Sequence, residues 1–185
     1  MKKWVNLKLM GFIAVSIFAF ACAAYAKSAR EIDASVDAAL VRFEKEVPGA
    51  KQILKNSHGV MIYPSVIKAG IGIGGEYGEG ALLVRGAKRN EYYNVVSASI
   101  GLQLGGQIRS IYVFFMNSQA LDSFRRSEGW KAGVDGSITL VTVGANGSVD
   151  TTTANQPILA FVLGQKGLMY NLTLEGSKFN RIQPE

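Results

Sequence analysis

The sequence predicts an α+β domain: N-terminal amphipathic helices packed on a strongly curved, glycine-rich, mainly antiparallel sheet, sandwich- or barrel-like, with one further internal helix. Three observations support this fold class. Apolar residues recur at helical spacing near the start of the chain, β-branched and aromatic stretches separated by Gly and Asn follow, and glycines recur at alternate positions of those stretches. Each element is justified below.

Residues 1–26 are predicted to be a signal peptide. Three lysines give a basic start, an uncharged apolar run follows, and "AYA" at Ala24–Ala26 supplies a small-x-small cleavage signature. A second cleavage site could precede Cys22, where "AFA" resembles the box of a bacterial lipoprotein. The protein is therefore predicted to be exported, to the periplasm or the outer membrane, and lipid-anchored if Cys22 becomes its first residue. Cys22 is the only cysteine, so there is no disulfide framework.

Residues 27–185 are predicted to form a single domain, long enough to bury a sizeable core. Removing residues 1–26 removes three lysines and no acids. The formal charge falls from +6 to +3, with 17 basic residues against 14 acidic ones. This surplus is below that of a dedicated nucleic-acid binder, so no nucleic-acid partner is expected. It favours anionic surfaces modestly.

Three helices are predicted. From Ser28 to Val47 apolar residues recur at steps of three and four, Ser28 and Glu31 fit a capping box, and Pro48-Gly49 ends the helix. A short helix follows at Ala50–Asn56, and another is expected at Ser118–Ser127. The strand-like stretches are "GVMIYP", "GALLVR", "YYNVVSASIGLQLGG", "QIRSIYVFFMN", "GSITLVTVG", "ILAFVLG" and "GLMYNLTLEG". Gly144–Gln156 is interpreted as a hairpin loop or a mobile connection.

The stretch "KAGIGIGGEYGEG", Lys68–Gly80, contains a G-x-G-x-x-G at Gly70–Gly75. A dinucleotide site needs a helix directly after such glycines, but more strand, "ALLVR", follows here. With a period of two, Gly70, Gly72 and Gly74 share one face of a strand, and "SASIGLQLGG" repeats this pattern. Strand glycines usually mark tight curvature or close approach of another backbone. The glycines therefore indicate a strongly curved sheet, or a helix lying against its bare face.

The residue inventory excludes several kinds of catalytic site. His58 is the only histidine, so a zinc site of His/Cys type cannot be assembled, and a capping or surface role suits its place before a strand. Glu76 and Glu79 could act as general acid and base in a hydrolase, but a solvated turn is favoured for such a pair. No catalytic residue, metal site or cofactor is predicted, and an enzyme is not expected.

Several ordered blocks resemble one family. "GVMIYPSVIKAGIGIGGEYGEGALLVR", Gly59–Arg85, resembles the signature block of the SYLF domain. "SASIGLQLGGQIRSIYVFFMNSQALDSF", "GVDGSITL" and "GQKGLMYNLTLEGS" resemble its later blocks in the same order. The resemblance runs from about Ser57 to Arg181, so residues 27–185 are interpreted as one SYLF-like domain of an exported bacterial member.

The resemblance implies a non-enzymatic lipid-binding module of the cell envelope. SYLF domains in eukaryotic proteins bind phosphoinositides and link membranes to actin, so the expected partner here is an anionic phospholipid or membrane surface. Actin is not implied for an exported protein, and no protein partner can be named. An alternative is a small outer-membrane β-barrel or an envelope structural protein, because about eight strand-like stretches follow the leader. The candidate lipid contacts are the cations in or beside the blocks, with Lys68 first: Lys68, Arg85, Lys88, Arg89, Arg109, Lys131 and Lys166.

Overall fold

The computed structural model describes residues 27–88, 90–141, 155–164, 167–168, 174 and 176–185, without the side chains of residues 70–73, 99–105 and 167–168. Its helices are α1 (Ala29–Glu46), α2 (Ala50–Asn56) and α3 (Ser118–Arg126). All three predicted helices are confirmed to within one residue at each end. No helix in the described part of the chain is long and apolar enough to span a bilayer.

Helix α1 begins at the predicted capping box. Ser28 Oγ accepts from the Glu31 amide, and the Glu31 carboxylate accepts from the Ser28 amide at 2.8 Å. The reciprocal bonds satisfy amide groups that the first turn leaves without a helical acceptor. The helix buries one stripe of side chains, at Ile32, Val36, Ala39 and Phe43. Burial of each large apolar side chain contributes roughly 2 kcal/mol, so packing on the sheet holds the helix in place.

The strands, in chain order, are β1 (Gly59–Val84), β2 (Glu91–Phe115), β3 (Trp130–Lys131), β4 (Thr139–Leu140), β5 (Ile158–Gly164), β6 (Gly167–Leu168) and β7 (Lys178–Ile182). They form one sheet in the order β3-β7-β2-β5-β4, with β1 pairing with β2 and β6 pairing with β5. Only the β4–β5 pair in this described sheet is parallel, which confirms a mainly antiparallel sheet.

Strands β1 and β2 form one long hairpin, paired from Gly59↔Phe115 to Leu82↔Glu91. The sequence divided each of them into two strands, and that division was wrong, because the glycine-rich residues continue the ladder. The other edge of β2 pairs with β5 over Ser110–Phe115 and with β7 over Tyr92–Val96. Between these segments, residues 97–109 of β2 pair with β1 alone among the described strands.

Strand β1 bends so that its two halves lie side by side in opposite directions. The Arg85 amide donates to the His58 carbonyl at 3.1 Å. Further along, a Cβ atom on Gly78 would lie 2.8 Å from Val66 Cγ2, and one on Gly80 would overlap the Ile62 carbonyl. We call this contact between the halves of β1 the seam. It confirms the predicted strong curvature, and the close approach comes from the first half of β1 rather than from a helix.

The curved sheet has a core on each face. Helix α1 covers the outer face, over residues that include Ile62, Tyr112 and Phe161. Helix α3 packs against the inner face, where Phe124 contacts Tyr93, Phe115, Trp130 and Phe179. Both faces of β2 and β5 are covered near their paired ends, whereas Ile67, Gly106 and Ile108, which lie nearer the middle of the hairpin, are exposed.

Several predicted segments lie wholly or mostly outside the residues that the structure describes. Residues 1–26 and 142–154 lie outside the described residues, and so does most of "GLMYNLTLEG" beyond β6. The signal peptide and the connection at Gly144–Gln156 therefore stay predictions. The described part of "GSITLVTVG" contains the two-residue strand β4, while "ILAFVLG" coincides with β5.

Candidate functional site

A buried ion cluster lies at the far end of the seam. Lys68 Nζ is 3.2 Å from Glu76 Oε1, and the Arg109 guanidinium binds Glu76 Oε2. The side chains of Glu76 and Arg109 are 5% and 2% exposed, and that of Lys68 is 20% exposed. The cluster joins the two halves of β1 to β2, because Lys68 and Glu76 lie on opposite sides of the bend. It holds two positive charges and one negative charge.

The cluster changes the meaning of two candidate residues. Lys68 is the first of the candidate lipid contacts, and its ammonium forms an ion pair with the Glu76 carboxylate inside the protein. Arg109 is buried, and its Nε has no hydrogen-bond acceptor among the described residues. By binding Glu76, both side chains stabilise the bend in β1. Contact of either side chain with lipid stays a prediction.

Glu76 and Glu79 do not form a carboxylate pair. They lie on opposite faces of β1: Glu76 binds the two cations of the cluster, and Glu79 Oε1 accepts from Tyr77 at 2.7 Å. The favoured solvated turn was wrong, since the two residues are only 6% and 9% exposed within a continuous strand. Their different environments also remove the geometry that a two-carboxylate mechanism requires.

The other candidate cations occupy separate places. Arg85 donates to the carbonyls of Lys55 and Ser57, so it caps the end of α2. Lys88 is exposed in the loop between β1 and β2, and Lys131 is exposed in β3. Arg89, Lys166 and the possible lipidation site Cys22 lie outside the described residues. Among the candidates that it describes, the structure therefore brings together Lys68 and Arg109, but not Arg85, Lys88 or Lys131.

Sequence reasoning missed Lys178, which lies opposite Lys131 in the β3–β7 pair. Both lysines are exposed, and neither forms an ion pair with an acidic side chain of the described residues. Like charges directly opposite each other on a sheet destabilise it, so a nearby anion would relieve the repulsion. The signal was weak because Lys178 lies outside the predicted strand-like stretches and its pairing depends on the distant residue Lys131.

An exposed apolar pair, Ile67 and Ile108, lies on the outer face of the hairpin. The two residues are cross-strand partners and are 53% and 49% exposed. They belong to a part of the hairpin that α1 leaves uncovered and where β1 and β2 pair with no third strand among the described residues. The register shift between Tyr63 and Val66 reverses the alternation of the strand. Val66 therefore faces the inner core, and Ile67 faces the outer side. A strict alternation drawn through the whole stretch would have missed this.

Within the described residues there is no group of three or more His, Cys, Asp or Glu residues that could hold a metal ion. Burial also keeps the hydroxyl groups of several core tyrosines neutral. Burial and then the negative charge of Glu91 raise the pKa of Tyr93 to about 12. Burial raises the pKa of Tyr63 far above its usual value, and its hydroxyl has no partner among the described residues. These groups are part of the inner core.

A protein-family comparison agrees with the resemblance seen in the sequence blocks. Residues 96–183 match the family model Ysc84, described as "Las17-binding protein actin regulator". These residues are therefore similar to the Ysc84, or SYLF, family model. The match spans most of β2 and extends through β7, so it includes the Lys131–Lys178 pair and the part of the inner core that follows residue 96, but not the part that β1 contributes.

A bacterial relative covers more of the chain. Beta cell expansion factor A of Aeromonas veronii is 26% identical over 155 residues, which are 83% of this chain and 58% of that relative. The chain thus spans less than two thirds of the relative's length. Neither the family description nor the name of the relative denotes an enzyme.

Proposed function

We propose that this protein is a non-enzymatic lipid-binding module of the cell envelope, which binds anionic phospholipid headgroups or membrane surfaces. The proposal includes export: residues 1–26 direct the chain out of the cytoplasm and are removed. The similarity of residues 96–183 to the Ysc84, or SYLF, family model supports a membrane-associated role. The observation that carries the proposal is the apolar pair Ile67–Ile108, exposed on an uncovered part of the hairpin.

The apolar pair suits a membrane interface on physical grounds. Two isoleucines, each about half exposed, present adjoining apolar surface at the base of the bend in β1. Moving this surface from water to the headgroup–acyl boundary would gain on the order of 1 kcal/mol per side chain. Each exposed lysine near an anionic bilayer adds roughly 1 kcal/mol. Weak, reversible binding that depends on both lipid charge and apolar contact is the expected result.

The test is co-sedimentation of the exported protein with phosphatidylcholine vesicles, with and without phosphatidylglycerol, at low and at physiological salt. We expect pelleting with the anionic vesicles that weakens as salt rises. Replacing both isoleucines, Ile67→Ser with Ile108→Ser, should lower the affinity about thirtyfold, since roughly 2 kcal/mol for the two side chains corresponds to that factor. Val134→Ser is the matched control, because Val134 is 77% exposed and lies in a different part of the chain.

A second pair of variants separates the electrostatic contribution. Lys131→Gln with Lys178→Gln should reduce binding to anionic vesicles at low salt and leave binding to neutral vesicles unchanged. Absence of pelleting with either kind of vesicle would contradict the proposal. So would wild-type affinity in the double isoleucine variant, provided that its circular dichroism spectrum matches that of the wild type.

A further inference from the structure

Glu79 is a buried carboxylate that lacks a cationic side chain. It lies on the outer face of β1 near the start of α1 and is 9% exposed. No lysine, arginine or histidine side chain of the described residues forms an ion pair with it. A buried carboxylate without a positive partner is costly, so a cation is expected to meet it in the functional form of the protein.

The main-chain nitrogen of Lys27 meets this carboxylate. It lies 3.2 Å from Glu79 Oε2, while Tyr77 donates to the other oxygen at 2.7 Å. Lys27 directly precedes the N-cap residue Ser28, so the capping box fixes the chain at this point. In the uncut chain this nitrogen is an uncharged amide with one N–H group. In a chain that begins at Lys27 it would be an ammonium with three.

The cleavage signature "AYA" ends at Ala26, immediately before this nitrogen. We propose that removal of residues 1–26 creates the missing cation: the new α-ammonium of Lys27 forms a buried ion pair with Glu79 that only the processed chain possesses. The inference rests on the export part of the proposed function and is independent of lipid binding.

The chemical step is hydrolysis of the Ala26–Lys27 peptide bond by the host's leader peptidase. Water supplies the oxygen that leaves with Ala26 as a carboxylate, and the Lys27 nitrogen gains the hydrogens that make it an ammonium. A charge-assisted hydrogen bond then replaces a neutral one at a nearly buried acceptor, where such bonds are roughly twice as strong. Processing thus stabilises the attachment of α1 to the sheet.

The test begins with the first residue of the exported protein, read by mass spectrometry. Lys27 is the expected first residue, and an acylated chain beginning at Cys22 would overturn the inference. The exported protein is then unfolded in urea, which releases the α-amine from Glu79, acetylated selectively at that amine at mildly acidic pH, and refolded beside an untreated sample. Selectivity follows because ordinary α-amines release their proton near pH 8, whereas lysine side chains do so only above about pH 10. Acetylation keeps the N–H group and removes the charge.

We expect acetylation to lower Tm by about 3 °C, the size of shift that one partly buried ion pair produces in a domain of this length. In Glu79→Gln the acetylated and free forms should melt within about 1 °C of each other. Asp37→Asn is the matched control, because Asp37 also carries a carboxylate on α1 but is exposed and lies outside the capping box. In that variant the difference between the two forms should persist.

Two further results would overturn the inference: no effect of acetylation on Tm in the wild type, or an undiminished effect in Glu79→Gln. If Glu79→Gln does not fold, the salt dependence of the wild-type protein still tests the ion pair. The Tm difference between its free and acetylated forms should shrink in strong salt if it arises from an ion pair, and an unchanged difference would refute one. The Tm measurements do not involve vesicles. They therefore test the ion pair even if the proposal of lipid binding fails.

Discussion

Glu76 is held by cations from two strands, so its removal would leave two positive charges without a partner at the bend. We predict that Glu76→Gln lowers the free energy of unfolding by about 3 kcal/mol, as expected when one member of a buried ion cluster is removed. Urea denaturation checks this, with Glu44→Gln, an exposed carboxylate of α1, as the control. A loss equal to that of the control would show that the cluster is not buried in solution.

The phenol of Tyr93 gives the protein a predictable sensitivity to alkali. Its pKa in the folded protein is about 12, because burial and Glu91 oppose its ionisation, whereas an unfolded tyrosine ionises near 10. Above pH 10 the unfolded chain releases the proton more readily, so stability is complete below that pH and is lost as pH rises towards 12. The expected loss is roughly 1 kcal/mol per pH unit in this window.

Denaturant titrations at several alkaline pH values test the assignment. In Tyr93→Phe the slope of stability against pH should become shallower, and the remainder is expected from Tyr63, whose pKa is also raised by burial. An unchanged slope in Tyr93→Phe would contradict the assignment to this residue.

At the scale of elements, the seam depends on glycines that accept a neighbouring backbone. A Cβ atom at Gly80 would overlap the Ile62 carbonyl, whereas one at Gly106 would find its nearest neighbour, the Lys68 carbonyl, at 3.7 Å. We predict that Gly80→Ala destabilises the fold by more than about 2 kcal/mol, because main-chain atoms cannot give way cheaply. Gly106→Ala should change stability by less than about 1 kcal/mol. Thermal melts of the two variants make the comparison.

Elements with strong local sequence signals were predictable from the sequence. Strands that form only by pairing with a distant strand were not. Helix α1 has a capping box and a regular apolar stripe, so its boundaries could be predicted closely. Strands β3 and β7 were missed, because Lys178–Ile182 alternates apolar and polar residues only briefly and becomes a strand by pairing with β2. The seam was missed for a similar reason: curvature follows from glycine, but which backbone approaches it depends on the whole fold.

At the scale of the molecule, the candidate surface was less predictable than the fold. Of the seven cations proposed from the sequence, Lys68, Arg85 and Arg109 have partners within the protein. A sequence shows where a charge lies in the chain but not that Glu76 lies across a bend from Lys68. The exposed pair Ile67–Ile108 likewise depends on a register shift that alternation alone does not reveal.

The pairing of β2 with β5 has a consequence for folding in the cell. The β1–β2 hairpin is contiguous in sequence, so it can form as soon as Phe115 has been synthesised. The free edge of β2 over Ser110–Phe115 is almost wholly apolar. It stays unpaired until Ile158–Leu163 of β5 is available to pair with it. An open apolar strand edge is a template for pairing with other chains. The newly made protein should therefore depend on holding chaperones until β5 arrives, and it should aggregate if synthesis stops between the two strands.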